Sequence, residues 1–466
     1  MEKLKEKINV PNVIIAFIIL QPIIDIITGI SIEYAQSTIT FGIIVRTIFM
    51  IFCVMLGTMK ADKRYRIGMC IYYSVLLIYG IGFLVKSYIE NGTNLIFIQM
   101  RGLVKNFYLP VMLVALVPIF RTYQVKVNRK VLTATLMIYA VTILICSIIG
   151  IALPTYRAGG KAGTVGLFYS ANEIGAILCI LSPFLIVDLM KRKVKIIDII
   201  FLTVLIYAVL QVGTQVPYFS LIILMVTIIF ACFTYAKLQK NRKFYQKAGM
   251  FLGLFVAIYL VTGITPVGEN LSKNYGNIFL INGEDINFYK KEEPAKIEEV
   301  TNFEELTTMV VSSRTDYLKE NKADFVNGDF IDKILGISFT KNDEGKIEER
   351  KLAEMDYFDI LLCNGILGTI LFAIPILTYI IILIRDVIAH KKKLGIEQIY
   401  VIVMASVVAL LAGHVLVSPA VSIYIAIILL NCEEEVKQIH NKKELGKEEK
   451  DEEDNNISPA LVGGGD

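Results

Sequence analysis

Three groups of residues in this chain combine charge with spacing that fits chemistry. The first is Glu354, Asp356 and Asp359, placed where a polar stretch gives way to an apolar run. Asp356 and Asp359 are three apart and share a helical face. Glu354 and Asp356 point to one place only if one of them lies in the turn before the helix. A partly desolvated carboxylate there has a raised pKa and can act as a general base. Carboxylates at a helix start also serve as caps, and that alternative stays open. The second group is cationic. Arg314 can grip a phosphate with two donors or serve a surface ion pair. Arg157 and Lys161 lie in a glycine-bearing segment, 154–164, where cations and backbone amides favour an anion. Arg101 and Lys105 are four apart on one face, which suits a lipid phosphate or snorkelling at an interface. The third group is polar: Asn172 with Glu173, Gln215 in the turn 213–217, and His414, one of three histidines. At membrane depth such side chains bond between helices or face a substrate. His414 can carry a proton or simply pack. Asp25 and Arg46, at similar depths in two successive apolar runs, are expected to pair, because a lone charge in hydrocarbon is costly.

The elements that must position these residues follow from composition. Of 466 residues, 55% are hydrophobic, and the mean hydropathy is +0.60. That is too apolar for a soluble domain of this length. The apolar runs are about 20 residues long and continuous, so they predict membrane helices and exclude an alternating β-barrel. Twelve spans are expected, at 12–30, 39–57, 67–86, 101–120, 131–153, 164–188, 196–212, 216–236, 248–265, 358–384, 397–413 and 416–431. The basic residues are dispersed between spans, which does not suit nucleic-acid binding. The seven cysteines lie in or beside apolar runs and show no Cys/His ligand spacing, so neither a disulfide framework nor a metal site is expected. No cofactor is implied. Residues 1–10 with the following run read as a first span rather than a cleaved leader.

Basic clusters at 60–66, 121–130, 191–195, 237–247 and 385–393 fall in alternate loops, on the side of the N-terminus. The positive-inside rule makes that side cytoplasmic and puts both termini there. The opposite, extracytoplasmic side receives the longest loop, 266–356. It carries 12 Lys/Arg and 20 Asp/Glu, about −8 in all. Apolar stretches at 278–280, 303–311, 325–335 and 337–339 predict a small folded unit, with Ser313 as a helix cap. The chain thus divides into an N-terminal membrane bundle (1–265), the acidic loop (266–356), a C-terminal membrane bundle (357–432) and a disordered cytoplasmic tail (433–466) with a short surface helix near 433–443.

These motifs resemble the O-antigen ligase/polymerase-like superfamily, in the form found with Gram-positive surface polysaccharides. The resemblance covers the whole membrane portion. The aromatic–x–x–Asn element of that superfamily resembles Phe168-Tyr169-Ser170-Ala171-Asn172-Glu173. Its basic turn falls at Gly213-Thr214-Gln215-Val216-Pro217, its small–Arg loop motif at Ser312-Ser313-Arg314-Thr315-Asp316, and its His-Asn motif with Gly-x-x-Gly at Glu354 to Gly368. Two positions depart: Gln215 replaces the turn cation, and Glu354 replaces the His. The resemblance implies an all-α polytopic, membrane-type glycosyltransferase that is inverting and metal-independent. Its donor would be an undecaprenyl-diphosphate-linked oligosaccharide and its acceptor another glycan, with a flippase and a chain-length regulator as partners in the bilayer. Arg314 with Lys161, Arg157 or Arg101 would hold the diphosphate, and Glu354 or Asp356 would be the base. A polymerase is expected. A ligase, a transporter of the lipid-linked glycan and a non-catalytic scaffold are the alternatives.

Overall fold

The computed structural model describes residues 9–36, 39–92, 95–157, 159–275, 314–343, 346–389 and 394–432. The protein is an all-α polytopic membrane protein. Nine described helices are long and apolar enough to cross a membrane. In chain order these are α1 (Val10–Ala35), α2 (Phe41–Lys60), α3 (Lys63–Asn91), α4 (Ile96–Tyr123), α5 (Arg129–Ile149), α6 (Ala171–Lys191), α8 (Gln215–Gln239), α9 (Arg242–Thr262) and α13 (Asp356–Ala389). Three shorter apolar helices, α7 (Ile196–Val212), α14 (Ile396–Leu411) and α15 (Pro419–Cys432), complete the set. All twelve expected spans have a helix. Several starts carry side-chain caps: Asp62 accepts from the Tyr65 amide at 2.7 Å and Asn128 from the Val131 amide at 3.0 Å.

α6 is the central helix, 89% buried over its most apolar window, and α4 follows at 78%. α3 and α9 are 17% buried, and their exposed isoleucines and leucines form the faces expected to meet lipid. Close approach depends on small residues. A Cβ on Gly57 of α2 would lie 2.4 Å from the Ala115 carbonyl oxygen of α4. The expected Asp25–Arg46 pair is present at 2.5 Å, and Tyr139 donates to the other Asp25 oxygen at 2.6 Å.

The sixth span starts seven residues later than its apolar run predicts. Gly163 and Gly166 have positive φ, and the chain between them is extended. The Leu153 amide donates to the Gly166 carbonyl at 2.6 Å and the Val165 amide to the Leu153 carbonyl at 2.9 Å. Ser170 then caps α6 by accepting from the Glu173 amide.

The long loop contributes α10 (Pro266–Tyr275), α11 (Arg314–Asn327), α12 (Phe330–Leu335) and a hairpin of β1 (Thr340–Asp343) and β2 (Lys346–Glu349), which pairs Thr340 with Glu349. The stretches 278–280 and 303–311, Ser313 and the tail from 433 lie outside the described residues. Among the described residues the hairpin is the one sheet beside the helices. The loop is bolted to the bundle through backbone. Within α13, Gly365 has φ 64 and ψ −174, a break between two helical halves. Gly336 presses into that break: the Ile337 amide donates to the Leu362 carbonyl at 2.9 Å, and Tyr79 donates to the Asn364 carbonyl at 2.9 Å. Lys86 adds a bond to the Gly336 carbonyl at 2.7 Å and an ion pair to Asp332 at 2.6 Å. Gln99 bonds both the Phe339 amide and the Thr340 hydroxyl. The polar groups freed by the helix break are thereby re-satisfied, as a non-helical backbone at this depth requires.

Candidate active site

The connections around 151–170, 213, 314–355 and 413–418 meet at one end of the bundle, and the site is built where they touch. Two buried carboxylates shape it. Asp359 accepts from the Ala353 and Met355 amides, both at 2.9 Å. This clamp spans Glu354, which is held at φ 58. Asp356 accepts from the amides of His414 at 2.8 Å, Val415 at 2.9 Å and Leu416 at 2.6 Å. His414 is likewise held at φ 59. A left-handed conformation costs a non-glycine residue about 1–2 kcal/mol, and each is offset by charge-assisted bonds to the flanking amides. Gly413 permits the two turns to touch, because a Cβ there would lie 2.5 Å from the Glu354 carbonyl oxygen.

The two strained residues face each other. His414 Nε2 lies 3.7 Å from Glu354 Oε1, an ion-pair distance longer than a hydrogen bond. Glu354 Oε2 accepts from Asn172 Nδ2 at 3.1 Å and from Arg314 Nη2 at 3.2 Å. α6 therefore delivers Asn172, α11 delivers Arg314, and the turns before α13 and α15 deliver Glu354 and His414. Burial works to raise the Glu354 carboxyl, but His414 and Arg314 outweigh it and hold it down at about 2. Burial works to lower the His414 imidazole, and the Glu354 carboxylate outweighs that, so His414 stands above its ordinary value. Arg314 keeps its Nε buried without a hydrogen-bond partner among the described residues.

Beside His414 opens a cavity of about 420 Å³, with Asp25, Arg46, Lys105, Tyr169 and Glu173 in its wall. Glu173 accepts from the Ser418 hydroxyl at 2.7 Å. Arg101 also borders the cavity but is paired with Glu349 of the hairpin at 2.5 Å. On the Arg314 side, burial and the neighbouring cations Arg314 and Lys273 lower the Lys161 pKa, which marks a convergence of positive charge. Arg157 is spent elsewhere. It pairs with Glu33 at 3.1 Å and lies 3.9 Å over the Tyr169 ring. Gln215 opens α8 and is not among the residues lining the cavity.

Of the residues singled out by sequence, Glu354, Arg314, Asn172 and His414 come into one cluster, and Glu173, Arg101 and Lys105 line the adjoining cavity. Asp356 sits behind them, 1% exposed and engaged with three amides. Sequence reasoning missed Ser418 and Lys273. Ser418-Pro419 before a short span is a helix-start signal, and Lys273 pairs with Glu269 one turn earlier at 2.8 Å, so the signals available were structural ones.

Residues 7–432 match the family model described as O-antigen ligase like membrane protein. The chain belongs to this family. Its activity class is therefore membrane glycan processing, with glycosyl transfer of the ligase or polymerase kind and lipid-linked glycans as the substrate class. No curated protein matches the chain, and no solved structure matches it.

Proposed function

We propose that the protein is an inverting glycosyltransferase that polymerises polyprenyl-diphosphate-linked oligosaccharide units on the outer face of the cytoplasmic membrane. The observation that carries this reading is the Glu354–His414 pair standing between a cationic corner and a polar cavity. The basic loops gather at the end opposite the site, where Arg129 and Lys191 pair with the buried Glu397. The positive-inside rule then makes the site end, with the loop 266–356, extracytoplasmic, and leaves both termini cytoplasmic.

In this reading the donor diphosphate lies against Arg314 and Lys161. Their charge stabilises the leaving group as the anomeric carbon–oxygen bond breaks, which is the largest contribution expected in such a site. The acceptor hydroxyl occupies the cavity and attacks the anomeric carbon from the opposite face. His414 takes its proton. A carboxylate held near 2 binds a proton too weakly at neutral pH to be the base. Glu354 instead orients the imidazole and stabilises its charged form, with Nε2 toward Glu354 and Nδ1 left for the acceptor. Asp356, with its oxygens committed to three amides, positions the His414 turn rather than acting as a base. The Gln215 departure from the family pattern is compensated on the cationic side by Lys161 and Lys273. The polymerase reading over a ligase follows the Gram-positive-like form of the motifs at 168–173, 312–316 and 354–368.

The test is reconstitution in lipid nanodiscs with a synthetic polyprenyl-diphosphate oligosaccharide. Wild-type protein should give longer glycan, and His414→Gln should lose transfer while still binding the donor. A well-folded His414→Gln protein with full activity would remove His414 from the mechanism. Passage of intact lipid-linked glycan across liposomes without a new glycosidic bond would point to transport instead.

A further inference from the structure

The cavity beside His414 has a property that glycosyl transfer alone does not require. Three cations border it: Arg46, Arg101 and Lys105. Two are neutralised within the protein. Arg46 bonds Asp25 and Gln21, and Arg101 bonds Glu349. Lys105 has no ion pair among the described residues. It lies nine residues into α4, about 13 Å along the axis from the helix start. The side chain is half-buried and borders the cavity, so its ammonium is open to an anion that enters there. The rest of the wall suits a sugar. Glu173 keeps Oε2 available beyond its bond from Ser418, and the Tyr169 ring is fixed in place by the Arg157 guanidinium 3.9 Å above it. The cavity volume, about 420 Å³, falls in the range of small-ligand sites.

We propose that this cavity is the acceptor subsite and that Lys105 selects a sugar carrying an acidic group, a carboxylate or a phosphate ester. The assignment rests on the glycosyltransferase reading above. The acceptor, rather than the donor, belongs here because the cavity opens on His414, whereas Arg314 and Lys161 lie on the other side of Glu354. An acidic group at Lys105 completes the cation of the wall that has no ion pair among the described residues, and Glu173 takes a sugar hydroxyl. The same arrangement favours an acidic acceptor over a neutral one, which offers the ammonium no counter-charge.

The test compares acceptors of one oligosaccharide backbone: one ending in a uronic acid, one in its carboxyl-reduced sugar and one in a sugar phosphate. Transfer from the polyprenyl-diphosphate donor is followed with wild-type, Lys105→Ala and Lys105→Arg proteins in nanodiscs. Wild-type should favour at least one acidic acceptor over the neutral one by about ten-fold or more in kcat/KM, the worth of one charge-assisted contact. Whichever acidic acceptor is favoured identifies the anion. Lys105→Ala should lose that preference through KM, so that the acidic-to-neutral ratio falls toward one, and Lys105→Arg should restore it. A wild-type preference for the neutral acceptor, or an equal loss on all acceptors in Lys105→Ala, would overturn the proposal. If no acceptor yields product, the transferase reading fails separately. Calorimetric titration with the free acidic oligosaccharides still decides the subsite: binding by wild-type and not by Lys105→Ala supports it, and equal or absent binding refutes it.

Discussion

Replacing Glu354 with Gln should move the pH dependence of transfer in a direction fixed by the geometry. Glu354 Oε1 lies 3.7 Å from His414 Nε2. Two unit charges at that distance attract by about 4–5 kcal/mol at an effective dielectric of about 20. Much of this is screened. The carboxylate also faces Arg314 at 3.2 Å, and the Glu354 side chain is 41% exposed. If about a third survives, Glu354 is worth roughly 1.4 kcal/mol to the charged imidazole, close to one pH unit. His414 works as a base only when neutral. Its pKa stands above the ordinary value, so activity should rise as the pH climbs through that raised value. Gln at 354 keeps the size and a carbonyl acceptor, drops the charge and leaves Arg314 uncompensated. The His414 pKa then falls. The assay is kcat/KM for transfer across about pH 5–9, which reports the free enzyme's essential groups. The acid limb should shift down by about one unit in Glu354→Gln, with a lower plateau because the imidazolium formed on proton transfer is less stabilised. An acid limb that stays in place or moves up would refute the pairing. So would an unchanged limb in active His414→Gln protein.

Other predictions test the remaining parts. Arg314→Lys should reduce transfer on the order of 100-fold, the scale for removing one preorganised donor to developing charge, with thermal stability near wild-type; undiminished turnover would clear Arg314 of a role at the diphosphate. Asp356→Asn should lower stability by about 2–4 kcal/mol, because a charged acceptor of three amide bonds becomes a neutral one, and thermal unfolding in detergent should show it; a melting temperature equal to wild-type contradicts the clamp. Gly336→Ala would place a Cβ 2.1 Å from the Cys363 carbonyl oxygen, so the loop should detach from the α13 break and segment 314–355 should become protease-sensitive. Val326 is 57% exposed in α11, so Val326→Cys in a Cys70→Ser background should react with an impermeant maleimide in intact cells; labelling only after permeabilisation would reverse the orientation.

The membrane helices were legible because each is a continuous apolar run, nine of them of the length a bilayer demands. The internal structure of α13 was not. Gly365 sits among apolar residues on both sides, and only the arrival of Gly336, 29 positions earlier in the chain, turns it into a break. The site shows the same limit. Glu354, Arg314 and His414 were each readable as candidates from residue type and place. That Glu354 and His414 stand together, 60 positions apart, depends on two left-handed turns that neither residue announces. The roles changed for the same reason. Asp356 and Glu354 look interchangeable as bases in sequence, whereas backbone amides occupy the first and two cationic side chains hold the second ionised. Arg101 and Lys105 look equivalent too, until the hairpin brings Glu349 to Arg101 and leaves Lys105 without an ion pair among the described residues.

The most direct measurement of the central claim is a product balance in nanodiscs containing only this protein and a polyprenyl-diphosphate oligosaccharide labelled in both lipid and sugar. Inverting transfer gives one free polyprenyl diphosphate for each new glycosidic bond, inverted configuration at the transferred anomeric carbon, and loss of both products in His414→Gln. Free lipid diphosphate without longer glycan, retained configuration, or no cleavage of the donor by well-folded wild-type protein would contradict it.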